Sequence, residues 1–122
     1  WGMKSERSFR NALKSILEEN FDVQVLNIKE KDPEGEVFDH PAEIEFDIIV
    51  KNGLLIICEL KSSMSISDMY IFSKKILFYE KHHNVKCTRK LVISPMVEDA
   101  AFTVASRFGI EIYSDSTDVD KL

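Results

Sequence analysis

The sequence predicts an α/β fold, a mixed central sheet with helices on its faces, in the order αβββαβαβ. Three observations carry this. Apolar residues recur at helical spacing near the start (Phe9, Ala12, Leu13, Ile16, Leu17). Two apolar runs, Ala42–Val50 and Leu54–Lys61, flank a Lys51-Asn52-Gly53 turn. Near the end, Leu91–Ile93, a helical stretch and Ile110–Tyr113 read as strand, helix and strand, the pattern of a right-handed crossover between parallel strands.

The elements follow in order. The first helix is expected over about Ser5–Glu19, and Val23, Val25 and Ile28 mark a strand to about Lys31. Asp32-Pro33-Glu34-Gly35 punctuates the chain before the two central strands. Ser65 or Ser67 can cap a helix over 67–82, with Met69, Phe72, Ile76 and Tyr79 along one side. A third helix, Val97–Phe108, is stopped by Gly109. At 122 residues the chain is expected to be one domain, 1–122, with a single core. A start at Trp1-Gly2 suggests a piece of a longer chain, and the acidic end, DSTDVDKL, a frayed tail.

Composition narrows the class. No apolar run approaches the roughly 20 residues of a membrane span, and no basic-then-apolar leader opens the chain. Two cysteines, Cys58 and Cys87, are too few for a disulfide scaffold, which points to a reducing, cytoplasmic setting. The net charge of −5 argues against a generic nucleic-acid coat protein. It is unevenly spread: Lys74, Lys75, Lys81, Lys86, Arg89 and Lys90 face a single acid, Glu80, within one stretch. That stretch reads either as a solvated helix face and loop or as a contact for an anionic substrate.

The central hairpin decides what its charges mean. A two-residue Asn-Gly turn would pair Lys51 with Leu54 and set Asp47 opposite Cys58, with charge on both faces of a buried pair. A three-residue loop, with Gly53 left-handed, pairs Val50 with Leu54 instead. One face then carries only apolar residues, from Ile44, Phe46 and Ile48 to Ile56, Cys58 and Leu60. The other gathers Glu43, Glu45, Asp47, Glu59 and Lys61, with Glu45 directly opposite Glu59. The expectation is therefore the three-residue loop. Clustered carboxylates repel one another unless a cation joins them, and hard oxygen donors suit magnesium, manganese or calcium. The alternative is an exposed polar strand face held by cross-strand ion pairs.

Asp47, a turn, then Glu59-Leu60-Lys61 in the next strand resembles the signature of the PD-(D/E)XK nuclease superfamily, which includes type II restriction enzymes and archaeal Holliday-junction resolvases. The αβββαβ order is similar to its restriction-endonuclease-like core, here with a further αβ unit. WGMKSERSFRNAL, EIEFDIIV, CELKSS, FSKKILFYE and FGIEIY resemble a largely archaeal family of nuclease-like proteins in which the domain follows a coiled coil. The resemblance implies a metal-dependent nuclease acting on DNA, with Mg (or Mn) held by Asp47, Glu59 and the Leu60 backbone carbonyl. Lys61 matches the lysine that orients or activates water, and Glu6 the acid kept on the first helix. Glu6 also reads as a carboxylate favoured at a helix N-terminus. Phe46 stands where the superfamily name has a proline. Glu45, Arg10, Lys75 and Tyr79 are candidate accessory residues; Tyr79 also reads as core and Lys75 as solvated. Resolvase-like relatives pair, so the resemblance also implies a homodimer.

Other clusters carry less. His82, His83 and Cys87 lack a second zinc motif, His40 sits in a loop that can approach the acidic face, and Cys58 reads as a small core residue. The competing class is an inactive module that keeps the nuclease fold for nucleic-acid binding or assembly, since fold alone does not confer activity.

Overall fold

The computed structural model describes residues 6–20 and 22–114, without the side chains of residues 6 and 20. Ser5, Trp1-Gly2 and the DSTDVDKL tail lie outside the described residues. The elements are α1 (Glu6–Asn20), β1 (Gln24–Asp32), β2 (Ala42–Lys51), β3 (Leu54–Leu60), β4 (Ser63–Met64), α2 (Ile66–His83), β5 (Arg89–Ile93), β6 (Met96–Val97), α3 (Asp99–Phe108) and β7 (Glu111–Tyr113). The expected order is present, and the short parallel pair β4–β6 is an addition that two-residue strands leave invisible to periodicity.

Five strands form one mixed sheet in the order β1-β2-β3-β5-β7. The first three run as an antiparallel meander, and β3, β5 and β7 are parallel, joined through α2 and α3. Helix α1 covers one face: its Phe9, Leu13 and Leu17 pack with Ile49, Ile56, Cys58, Leu60 and Leu91. Helices α2 and α3 cover the other, where Met69, Phe72 and Ile76 meet Ile44, Phe46, Ile48, Ile57 and Val92. Helix α2 starts sharply because Ser65 and Asp68 form a reciprocal capping box. Helix α3 stops at Gly109, whose φ of 70° suits a residue without Cβ.

The hairpin register corrects the sequence expectation. Lys51 pairs with Leu54 and Asp47 with Cys58, so the turn is the two-residue Asn52-Gly53. Both turn residues have positive φ, 51° and 77°, as a turn matching the strand twist requires. Glu45 is therefore not opposite Glu59; it pairs across β1–β2 with Lys29. The expected charge-free face is divided between the two cores: Ile44, Phe46 and Ile48 belong to one, and Ile56, Cys58 and Leu60 to the other. The argument for the longer loop assumed that a buried strand face cannot carry charge. Helices on both faces supply the missing cations.

Gly53 has no atom within 4 Å of where a Cβ would stand, so the effect of Gly53→Ala is confined to the backbone. A left-handed alanine is expected to lower stability by about 1–2 kcal/mol, read from a reduced urea midpoint at unchanged m-value.

Candidate active site

The signature residues collect where β2 and β3 part company. The β2–β3 ladder ends at the Asp47–Cys58 pair. Beyond it Glu59 and Leu60 still pair with β5, and the Lys61 N–H donates to the Ile93 carbonyl at 3.1 Å. The chain then leaves the main sheet for β4. Asp47 projects to the α1 side, with its neighbour Cys58; Glu59, next along β3, projects to the α2 side.

Asp47 is only 4% exposed. Arg10, reaching down from α1, holds both its oxygens: Nη2 lies 2.9 Å from Oδ1 and 2.9 Å from Oδ2, and Nε 3.2 Å from Oδ2. Asn27, its β1 partner, donates Nδ2 to Oδ1 at 3.0 Å. The other arm of Arg10, Nη1, binds Glu45, which also has Lys29 at 4.0 Å. Burial works against the Arg10 charge, but the Asp47 and Glu45 hydrogen bonds outweigh it and keep the guanidinium charged. Burial likewise works against ionised Glu45, and Arg10 reverses that, holding its carboxyl below the usual range.

Glu59 has a different partner. Lys75, 8% exposed on α2, extends beside the Phe46 ring to place Nζ 3.1 Å from Oε1 and 3.5 Å from Oε2. Desolvation pushes the Glu59 carboxyl above its ordinary value despite Lys75, and the Asp47 charge adds to the rise. Lys61 Nζ meets Asp68 Oδ1 at 3.1 Å. Burial opposes the Asp68 charge, but its bonds to Ser65 and Lys61 leave its carboxyl below the usual range.

A cleft of about 210 Å³ lies on the α2 side, lined by Glu45, Glu59, Lys61, Asp68 and Lys75 among others. A smaller pocket of about 90 Å³ lies on the α1 side, lined by Arg7, Arg10, Lys14, Asn27 and Asp47 among others. Arg10, Glu45 and Leu60 line both.

The structure thus brings Asp47, Glu59, Leu60, Lys61, Glu45, Arg10 and Lys75 together at one end of the interior strands β2 and β3. Lys75 is buried on the site, not solvated. Tyr79, one turn further along α2, packs edge-on to Phe46 within the core. Glu6 opens α1 four residues before Arg10, and its side chain lies outside the described residues. Arg7, Lys14, Asn27 and Asp68 went unnoticed in the sequence; the 7, 10/11, 14 spacing on α1 is the one signal that could have found the first two.

His82 and His83 bind Glu36 and Glu30, and Cys87 bonds to Glu80 through its backbone N–H. His40 stacks on Phe38. Burial raises the Cys58 thiol well above its usual range, as expected of a core residue. Among the described residues no three His, Cys, Asp or Glu side chains converge as a ready metal cluster. In kind the donors fit a hard divalent cation: Asp47 and Glu59 each line a cavity that Leu60 also lines, Glu59 the more open cleft. The Asp47 oxygens, however, are filled by Arg10.

The profile of the PD-(D/E)XK nuclease superfamily matches residues 42–111, and the chain belongs to that superfamily. A second profile, "Protein of unknown function (DUF3782)", matches residues 1–41. Among solved structures the chain is similar to a repair endonuclease from Pyrococcus abyssi, at 13% identity and a TM-score of 0.61, over 94% of this chain and 49% of that one. It is also similar to EndoMS in its apo form, at 15% identity and a TM-score of 0.61, over 94% and 48%. The likeness establishes the restriction-endonuclease-like fold, and the chain spans about half the length of these structures. Comparison with curated proteins returns no significant match. No helix among the described residues is long and apolar enough to cross a membrane.

Proposed function

We propose that this domain hydrolyses phosphodiester bonds in DNA with a divalent cation, Mg or Mn, bound by Asp47, Glu59 and the Leu60 carbonyl. The observation that carries the reading is geometric: Asp47 and Glu59 line two cavities that share Leu60, with Lys61 two residues on from Glu59 and lining the same cleft. When bound, the cation lowers the pKa of a coordinated water and neutralises phosphate charge.

The chain's own residues do the rest. Lys61, held to Asp68 in a half-exposed pair, can turn its ammonium toward the attacking water or a phosphate oxygen, where negative charge develops. Lys75 keeps Glu59 oriented and compensated between turnovers. Arg7 and Lys14 line the α1-side pocket and, among the described residues, carry no ion pair. They give an otherwise acidic protein a local seat for backbone phosphates. A homodimer belongs to the same reading, with sedimentation as its check.

One observation favours a second reading, an inactive nuclease-fold module. Each signature charge already has a protein partner: Arg10 for Asp47, Lys75 for Glu59, Asp68 for Lys61. The two are separated by incubating branched, single-stranded and duplex DNA with the protein in Mg²⁺ or Mn²⁺. The nuclease reading expects cation-dependent cleavage that Asp47→Asn abolishes. Cleavage that survives Asp47→Asn overturns the site, and no cleavage of any substrate favours the inactive module.

A further inference from the structure

Asp47 presents a conflict that bears on how the site can fill. A carboxylate offers about four lone-pair positions. Both oxygens are engaged, Oδ1 by Arg10 Nη2 and Asn27 Nδ2, and Oδ2 by Arg10 Nη2 and Nε. A cation cannot bind Asp47 while the guanidinium fork stays there, for lack of a free oxygen and because the two positive charges repel.

Arg10 is also placed to let go. Its Nη1 holds Glu45 independently of Asp47, so release does not leave the guanidinium without a counter-charge. Glu45 and Arg10 both line the two cavities, which gives the side chain room on either side of its present position. Asn27, on the neighbouring strand, can keep one Asp47 oxygen oriented throughout. The planar fork matters as much as the charge, since only a guanidinium grips both carboxylate oxygens at once.

We propose that Arg10 and the divalent cation compete for Asp47, so that Arg10 acts as a built-in counter-cation that sets the affinity of the site for metal. This rests on the metal-site reading above. Molecules with Arg10 seated on Asp47 are not competent to bind, so the apparent dissociation constant is raised by the reciprocal of the released fraction. When no cation is present Arg10 itself neutralises Asp47 and Glu45.

Calorimetry with Mn²⁺ alone, without nucleic acid, tests this on wild type, Arg10→Met, Arg10→Lys and Asp47→Asn. Arg10→Met is expected to bind Mn²⁺ about tenfold or more tighter than wild type. Arg10→Lys keeps the positive charge and loses the fork, so it also keeps the fold measurable if Arg10→Met unfolds. It is expected to recover most of the tightening. A thermal-shift series should agree, with Mn²⁺ raising the melting temperature more in the Arg10 variants than in wild type.

If wild type binds Mn²⁺ in an Asp47-dependent manner and neither variant binds tighter, the competition is overturned and the metal site stands. If Arg10→Lys matches wild type and only Arg10→Met tightens, the effect is through-space charge and the proposed competition for oxygens is overturned. Binding confined to the Arg10 variants supports the competition while overturning metal-dependent catalysis by the wild type. No Mn²⁺ binding in any protein overturns both.

Discussion

Replacing Lys61 by Ala is expected, on the proposed nuclease reading, to slow cation-dependent DNA cleavage by about 10²–10³-fold, the cost of removing one donor from developing negative charge. The loss should fall on the chemical step. Mn²⁺ affinity should hold or tighten slightly, because Lys61 is a cation near the site and not a ligand of it. Stability should barely move: the Lys61–Asp68 pair is more than a third exposed on the lysine side, where such pairs are worth well under about 1 kcal/mol. The α2 cap survives, since Asp68 Oδ2 still accepts the Ser65 N–H at 2.9 Å and Ser65 Oγ the Asp68 N–H at 3.0 Å. Single-turnover cleavage, Mn²⁺ calorimetry and urea unfolding on one preparation separate these effects. Unchanged single-turnover cleavage in Lys61→Ala would remove Lys61 from the mechanism.

Lys75→Ala should have the opposite profile, with a large effect on the fold. The pair it forms with Glu59 is nearly buried, with side chains 10% and 16% exposed. Breaking such a pair leaves one charge desolvated and alone, at about 3–5 kcal/mol. The penalty should depend on pH. Glu59 already titrates above 4.5 in the folded protein, mainly through desolvation, so it holds its proton where the unfolded chain has lost it. Its contribution is therefore greatest below 4.5 and falls as pH rises through the folded value. Removing Lys75 removes the main opposition to that rise. The deficit of Lys75→Ala relative to wild type should thus be small at pH 4 and grow toward pH 7. Glu59→Gln/Lys75→Met, with neither charge, should recover most of the loss. Urea unfolding at the two pH values measures this; a deficit that does not change with pH would show that Lys75 acts through packing against Phe46 and not through Glu59.

The fold was legible because its signals are local. The period of Phe9, Leu13 and Leu17, the Ser65 cap and Gly109 each constrain only a few neighbouring residues, and each element stands where its signal lies. The candidate residues Asp47, Glu59 and Lys61 were read from family resemblance, and the structure places them near one another. The hairpin register was misread because the Asn52-Gly53 signal was overruled by a burial argument. That argument counted charges on β2 and β3 alone, whereas Arg10 lies 37 residues from Asp47 and Lys75 16 from Glu59. Sequence patterning measures the cost of a buried charge; only packing supplies its partner.

The sequence by itself determined the longer elements and their order, because turn chemistry, capping and hydrophobic period act within a few residues of one another, and its signature resemblance pointed to the superfamily. Only the tertiary structure decided that Asp47 and Glu59 leave opposite faces of the sheet, and that a guanidinium from α1 and an ammonium from α2 stand against them. Those pairings depend on which helix covers which face, a long-range choice made by the two cores together.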